Sequence, residues 1–264
     1  LAVLGICGVI GYGCDRGGWG NTGSGNWPRT TPEQRTPDRL RVLFIGNSFT
    51  GYNGGQALIL QQLAASAGRN PVIDQLAIYG ATWKLLWDSS KARSVIRQGN
   101  WDYVILQDHS QSALGWPVAM KNYGRLFSDA IDKAGGKPVF FMTWAKRDAR
   151  FDQRVIARVY TDLAVEDAGL LAPVGIAWQN AMQARPKLSL YNFWDKKHPN
   201  PAGSYLTACV FYSLLFHDSP HGLISRIGEG HRTYIDLGKS DAEFLQDIAW
   251  QTISRAAAPA ATRP

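Results

Sequence analysis

Cysteine is scarce in this chain, with three in 264 residues, and their positions exclude most of what cysteine does for a fold. Cys7 and Cys14 belong to the first apolar stretch and its edge, while Cys209 lies inside Tyr205-Leu-Thr-Ala-Cys-Val-Phe-Tyr212. That arrangement offers neither a disulfide framework nor a Cys/His spacing for a structural metal, and Cys209 reads as core packing. No internal repeat and no sustained heptad pattern occurs, which excludes solenoids and long coiled coils. Basic runs and zinc-finger spacings are also missing, so nucleic acid is not an expected partner. The net charge of +7, from 28 basic and 21 acidic residues, permits attraction to acidic polysaccharides, anionic lipid surfaces or nucleic acid. Without a clustered motif it reads as generic solvated charge.

Long hydrophobic runs are absent too. Leu1 to Gly13 is apolar and uncharged but too short to span a bilayer. It resembles the apolar core of a secretory signal, so residues 1–14 read as a signal-like remnant and export to the periplasm or beyond is expected. Cys14 is a candidate lipid anchor and membrane tether, although Gly11-Tyr12-Gly13 departs from the aliphatic first position of such cleavage sites. Residues 15–39, rich in Gly, Thr, Pro and Arg, read as a flexible tether. Residues 40–257 are left as one folded domain, with 258–264 as a disordered tail.

With 45% hydrophobic residues, the chain can bury one sizeable core, and a second useful domain would leave too little for a full sheet. Apolar runs alternate with helical patterns. Strands are predicted near 41–46, 72–78, 102–107, 137–143 and 172–177, and helices near 55–68, 88–98, 118–135, 150–168, 201–216 and 240–256. The alternation argues for an α/β fold with a five-stranded parallel sheet covered on both faces. Asp218 to Gly238, broken by Pro and Gly, reads as a surface excursion.

Chemistry first enters at the end of the first strand, in Arg41-Val-Leu-Phe-Ile-Gly-Asn-Ser48-Phe-Thr-Gly51. Strand, turn and helix together put Ser48 at the carboxyl edge of the sheet, where open α/β sheets bind ligands and free N–H groups can stabilise an oxyanion. A lone serine there is an ordinary turn or cap residue. Asp195-Lys-Lys-His198-Pro changes that, because an acid three residues before a histidine can share a turn with it. His198 would then accept the Ser48 proton, with Asp195 holding the imidazole tautomer. Gly46-Asn-Ser-Phe-Thr50 lacks the second glycine of the α/β-hydrolase elbow, which argues against that fold.

In order along the chain, Gly46-Asn47-Ser48, Gly80 after the second strand, Leu106-Gln107-Asp108-His109-Ser110 after the third, and Asp195-x-x-His198 resemble the four blocks of the SGNH (GDSL-type) hydrolases. The block sequences look like a GNSFT-type subgroup common among bacterial exported proteins, and the resemblance covers roughly residues 40–255. It implies a flavodoxin-like three-layer α/β/α sandwich and ester cleavage through an acyl-enzyme, with no cofactor and no metal. Two departures stand out. Asn47 replaces the usual Asp before the nucleophile, and Gln107-Asp-His109-Ser replaces Gly-x-Asn-Asp, whose Asn donates to the oxyanion. The expected oxyanion donors are the N–H groups of Ser48 and Gly80 together with Gln107, whose place directly after the strand is similar to the third block of sialate and xylan acetylesterase-like members. His109 is the alternative by strict register.

Ten tryptophans are many for this length. Trp101, Trp178 and Trp250 read as core packing, whereas Trp83, Trp144 and Trp194, with Asn47, are candidate substrate contacts in a sugar platform or acyl wall. His217 and His221 have helical spacing, but the intervening Pro220 disrupts a helix that would bring them together, so they read as loop residues. The resulting expectation is an exported serine esterase acting on a small-molecule or polysaccharide ester, foremost a carbohydrate O-acetylesterase. The alternatives are a lipase- or thioesterase-like acyl hydrolase, and a non-catalytic carbohydrate-binding protein on the same fold.

Overall fold

A computed structural model describes residues 39–257. The signal-like remnant, the tether with Cys7 and Cys14, and the tail lie outside the described residues, apart from Arg39 at the tether's end. Five parallel strands form the central sheet: β1 (Arg41–Gly46), β2 (Val72–Ala77), β3 (Tyr103–Leu106), β4 (Lys137–Phe141) and β5 (Leu170–Ala172), in the order β2-β1-β3-β4-β5. That order is the flavodoxin-like doubly wound arrangement, as the α/β reading predicts.

Strand β1 explains why the sheet needs cover on both faces. All six of its residues are buried, and successive side chains point to opposite sides. Val42 and Phe44 enter one core with α2 (Gln56–Ser66), α8 (Val174–Ala184), α9 (Pro201–Phe216) and α10 (Lys239–Ala257). Leu43 and Ile45 enter the other with α3 (Trp83–Asp88), α4 (Lys91–Gln98), α6 (Pro117–Lys133) and α7 (Gln153–Glu166). Helix α9 is buried on nearly every side, as expected for a helix that is apolar all round. Its Phe211 meets Phe44 and Phe141 edge-on, at centroid distances of 5.0 and 4.9 Å, and Cys209 is enclosed in the same helix.

Several elements differ from the sequence expectation. The fifth strand is Leu170–Ala172 rather than 172–177, because Pro173 lacks an N–H to donate and the following residues turn into α8. Val174-Gly-Ile-Ala-Trp178 is apolar enough to pass for a buried strand, and short apolar runs carry no period that separates the two states. The short helices α3 and α5 (Ser112–Gly115) lie in segments read as loops, and Thr82 caps α3 by accepting from the Leu85 N–H at 3.3 Å. Within the surface excursion, β6 (Arg226–Glu229) and β7 (Arg232–Asp236) form an antiparallel hairpin. Among the described residues no helix is long and apolar enough to cross a membrane.

Phe211→Ala is expected to lower unfolding stability by about 3–5 kcal/mol in urea melts, the usual range for emptying a buried aromatic site. A loss under about 1 kcal/mol would contradict the packing described for α9.

Candidate active site

The site lies at the carboxyl edge of β1 and β3. Their parallel register pairs Ile45 with Leu106, so the serine turn and the third loop leave the sheet side by side. Ser48 opens the short helix α1 (Ser48–Gly51), and Asn47 caps it by accepting from the Phe49 N–H at 3.2 Å. The Asn47 side-chain amide also donates to the Ala81 carbonyl at 3.0 Å, and its backbone N–H donates to Gln107 Oε1 at 3.0 Å. Asn47 is therefore buried inside the turn and shapes it, a correction to its expected role as a substrate contact.

Gln107 has a similar place. Its Oε1 accepts from Asn47 N and from the Thr50 hydroxyl, each at 3.0 Å, and its Nε2 donates to the Asp108 carbonyl. The side chain is wholly enclosed, which makes it the fastening of the serine turn and a poor donor to a substrate oxyanion. Gly46 makes this approach possible: a Cβ there would come within 2.3 Å of Thr50 Oγ1 and 2.7 Å of Gln107 Oε1.

Asp195 and His198 arrive from a distant part of the chain. Asp195 Oδ1 accepts from the backbone N–H groups of Lys197 and His198 at 3.0 and 2.9 Å, while Oδ2 meets His198 Nδ1 at 2.6 Å. His198 Nε2 lies 2.8 Å from Ser48 Oγ. Burial raises the Asp195 carboxyl, but the two backbone donors and the imidazole outweigh it and hold the group below the usual aspartate range. The three residues named from sequence thus form one continuous line of hydrogen bonds.

Aromatic rings fix the imidazole. Tyr52 stacks on it at 4.3 Å with an interplanar angle of 5°, and Phe49 meets its edge at 5.5 Å. Trp144 stacks between Phe49 at 4.6 Å and Trp178 at 3.8 Å, and its indole N–H donates to the Lys197 carbonyl at 2.8 Å. At 2% exposure it supports the His198 loop and does not form a substrate wall. Trp83, at 0% exposure, packs against Phe127 and Phe140 on the opposite face of the sheet, so its expected contact role is also corrected. Trp194, by contrast, is 87% exposed beside the Asp195 turn, and Trp116 is 55% exposed near His109.

His109, unlike Gln107, is only half-buried. Its Nδ1 accepts from the Gln111 N–H at 3.3 Å, which leaves the proton of the neutral ring on Nε2. Burial, followed by the positive charges of Lys197 and Lys146, lowers its pKa below the ordinary value and favours that neutral form. Asp108 is not its acid partner: the buried carboxylate accepts from the backbone N–H groups of Trp83 and His109, both at 2.7 Å, and so ties the third loop to α3. Gly80 occupies the exposed turn after β2 with φ +76°, a left-handed conformation suited to glycine. Sequence reasoning missed Tyr52 and Phe49, whose only signal is aromatic character just after the serine. His217 ends α9 and His221 pairs with Asp247 at 2.9 Å.

A serine on a strand-to-helix turn, four blocks at one sheet edge and the β2-β1-β3-β4-β5 order define the SGNH-hydrolase fold, and this chain has it. The structure is similar to that of an SGNH hydrolase from Slackia heliotrinireducens, with TM-score 0.52 and 24% identity, covering 66% of this chain and 97% of that one. A DUF4886 family protein from Bacteroides uniformis is similar over 83% of this chain and 96% of its own, with TM-score 0.65 and 16% identity. A variant of an acetyl xylan esterase from Geobacillus stearothermophilus matches with TM-score 0.53 and 18% identity over 67% and 94% of the two chains. No protein-family model and no curated protein matches the chain. At these identities the likeness is one of fold.

Two measurements test the internal roles. Gln107→Ala strands the Asn47 N–H and the Thr50 hydroxyl, so stability is expected to fall by about 1–3 kcal/mol in thermal or urea melts; an unchanged melt would refute the fastening. Burial raises Asp108 above the ordinary value of 3.8 despite its hydrogen bonds. The folded state then holds this proton more tightly than the unfolded state, so the Asp108 contribution is most favourable below 3.8 and is lost as pH rises through the folded value. Asp108→Asn should remove that falling step from the stability-versus-pH curve, and parallel curves for variant and wild type would contradict it.

Proposed function

We propose that the protein is a serine carboxylic ester hydrolase working through an acyl-enzyme, with Ser48 as nucleophile, His198 as general base and acid, and Asp195 as the group that holds the imidazole. The observation that carries this reading is the line from Ser48 Oγ to His198 Nε2 at 2.8 Å and from His198 Nδ1 to Asp195 Oδ2 at 2.6 Å. Ser48 Oγ attacks the ester carbonyl carbon as its proton passes to Nε2. The tetrahedral oxyanion collapses, the bond to the alcohol oxygen breaks, and the alcohol leaves with the proton from Nε2. Water repeats the sequence on the acyl-enzyme, releasing the acid and returning Ser48. Asp195 accepts from Nδ1–H throughout, which keeps Nε2 the basic nitrogen.

The backbone N–H groups of Ser48 and Gly80 serve as oxyanion donors in this reading, with His109 Nε2–H as the third. Its half-buried ring after β3 and the tautomer fixed by Gln111 support His109 over the enclosed Gln107. A neutral imidazole suits the task because it donates without giving up its proton. The substrate class that fits best is a carbohydrate O-acetyl ester. Trp194 and Trp116 offer exposed rings beside the Asp195 turn and His109, and the similar folds include an acetyl xylan esterase. The export and Cys14 tether expected from the sequence are compatible with a polymeric substrate outside the cytoplasm.

A fluorophosphonate probe is expected to label Ser48 in the wild type and to fail in His198→Ala, read by peptide mass spectrometry; a folded wild type that stays unlabelled overturns the reading. On p-nitrophenyl acetate, Ser48→Ala should be inactive. His109→Ala should lose about 100- to 1,000-fold in kcat, the usual effect of removing one oxyanion donor, and a loss below about threefold would return the third donor to another group.

A further inference from the structure

Beside the Ser48 cleft lies a second opening. A cavity of about 560 Å³ is lined by Arg147, Arg150, Phe151, Trp178, Gln179 and Met182, among others, and by none of Ser48, Asp195 and His198. It shares a wall with the cleft. Trp144 lines the cavity and also carries the Lys197 carbonyl on its indole N–H at 2.8 Å. Arg147 lines it and donates its backbone N–H to the Lys196 carbonyl at 3.1 Å. Residues 144–147 are therefore the partition between the cavity and the loop that carries His198.

The charges along this path are mostly positive, with Asp148 the acid in the cavity lining. Lys197 precedes His198, and Lys146 and Lys197 both act electrostatically on the His109 ring. Arg147 and Arg150 continue from Lys146 into the cavity lining. Among the described residues, none of Lys146, Lys197, Arg147 and Arg150 forms a salt bridge; the one acid on the path, Asp148, pairs with Lys196 at 3.7 Å. Four cations without carboxylate partners leave a field suited to a ligand with several negative charges. Phe151, 83% exposed, adds aromatic surface of the sort that packs against a sugar ring.

We propose that Lys197, Lys146, Arg147 and Arg150 form a cationic track that carries an anionic glycan from the Ser48 cleft into the neighbouring cavity, so that the ester substrate is an O-acylated polysaccharide with carboxylates on its sugars. The assignment of the ester rests on the hydrolase reading above; the binding of the glycan is tested apart from it. A lipid surface fits less well, because the apolar surface here is a lined cavity rather than a broad face. A nucleic acid fits less well because the cations follow a path into that cavity and do not spread along an exposed helix.

The test measures binding of full-length Ser48→Ala protein to de-esterified oligogalacturonate and to neutral xylo-oligosaccharide of equal length by calorimetry. The acidic oligomer should bind at least about tenfold more tightly. That preference should fade in about 0.5 M NaCl, where screening shortens the reach of charge to a few ångströms. Arg147→Gln with Arg150→Gln should weaken the acidic oligomer about tenfold, the size expected for removing two partly screened contacts. Equal affinity for both oligomers, an acidic preference untouched by the double substitution, or equal binding to anionic vesicles or DNA each overturns the track. Hydrolysis of p-nitrophenyl acetate by the wild type is scored separately: its loss refutes the esterase reading and leaves the binding result standing on its own.

Discussion

The parallel pairing of β1 with β3 is the constraint on which the site depends. Both strands are buried among neighbours, and their register pairs Val42 with Tyr103 through Ile45 with Leu106. A slip by one residue would send Val42 and Phe44 into the wrong core. The same register delivers the serine turn and the third loop to one level, where the Gln107 amide closes the gap by accepting from both Asn47 and Thr50. A core-packing requirement thereby fixes the position of a serine that takes no part in the core.

The second half of the site is held by different means. The loop carrying Asp195 and His198 has little regular structure, and backbone hydrogen bonds organise it locally: Asn192 N–H to the His198 carbonyl at 2.7 Å, Lys196 N–H to the Asn192 carbonyl at 3.1 Å, and the two donors to Asp195. Asn200 ends the loop by capping α9, accepting from the Gly203 N–H at 2.9 Å. Asn53, at φ 53°, crosses from the serine side and donates to the Pro199 carbonyl and to Ser204. Joining two distant segments in this way lets a rigid sheet edge and a separately shaped loop meet at hydrogen-bond distance.

What the sequence disclosed follows the reach of its signals. Strand β1, the strand-end serine and the Asp-x-x-His turn are local patterns, so their residues were legible, as was the doubly wound architecture. Burial was not. Trp83, Trp144 and Asn47 sit at loop positions that suggest an open cleft, yet tertiary packing encloses all three. Gln107 and His109 are two residues apart, just beyond β3, and both can donate; what separates them is burial and the partners that already occupy the Gln107 amide. Tyr52 carries only its aromatic character as a mark in the sequence, because its stacking partner is 146 positions away, from Tyr52 to His198. The β5–α8 boundary failed for another reason, since an apolar run has no period until Pro173 breaks it.

Phe49, Trp144 and Trp178 form a column of three stacked rings with interplanar angles of 5° and 2°. At its upper end is the residue that follows Ser48, its middle ring grips the loop before His198, and its lower end belongs to α8. The column acts as a common strut. Ser48 and His198, which come from segments 150 positions apart, are thus braced against one and the same helix.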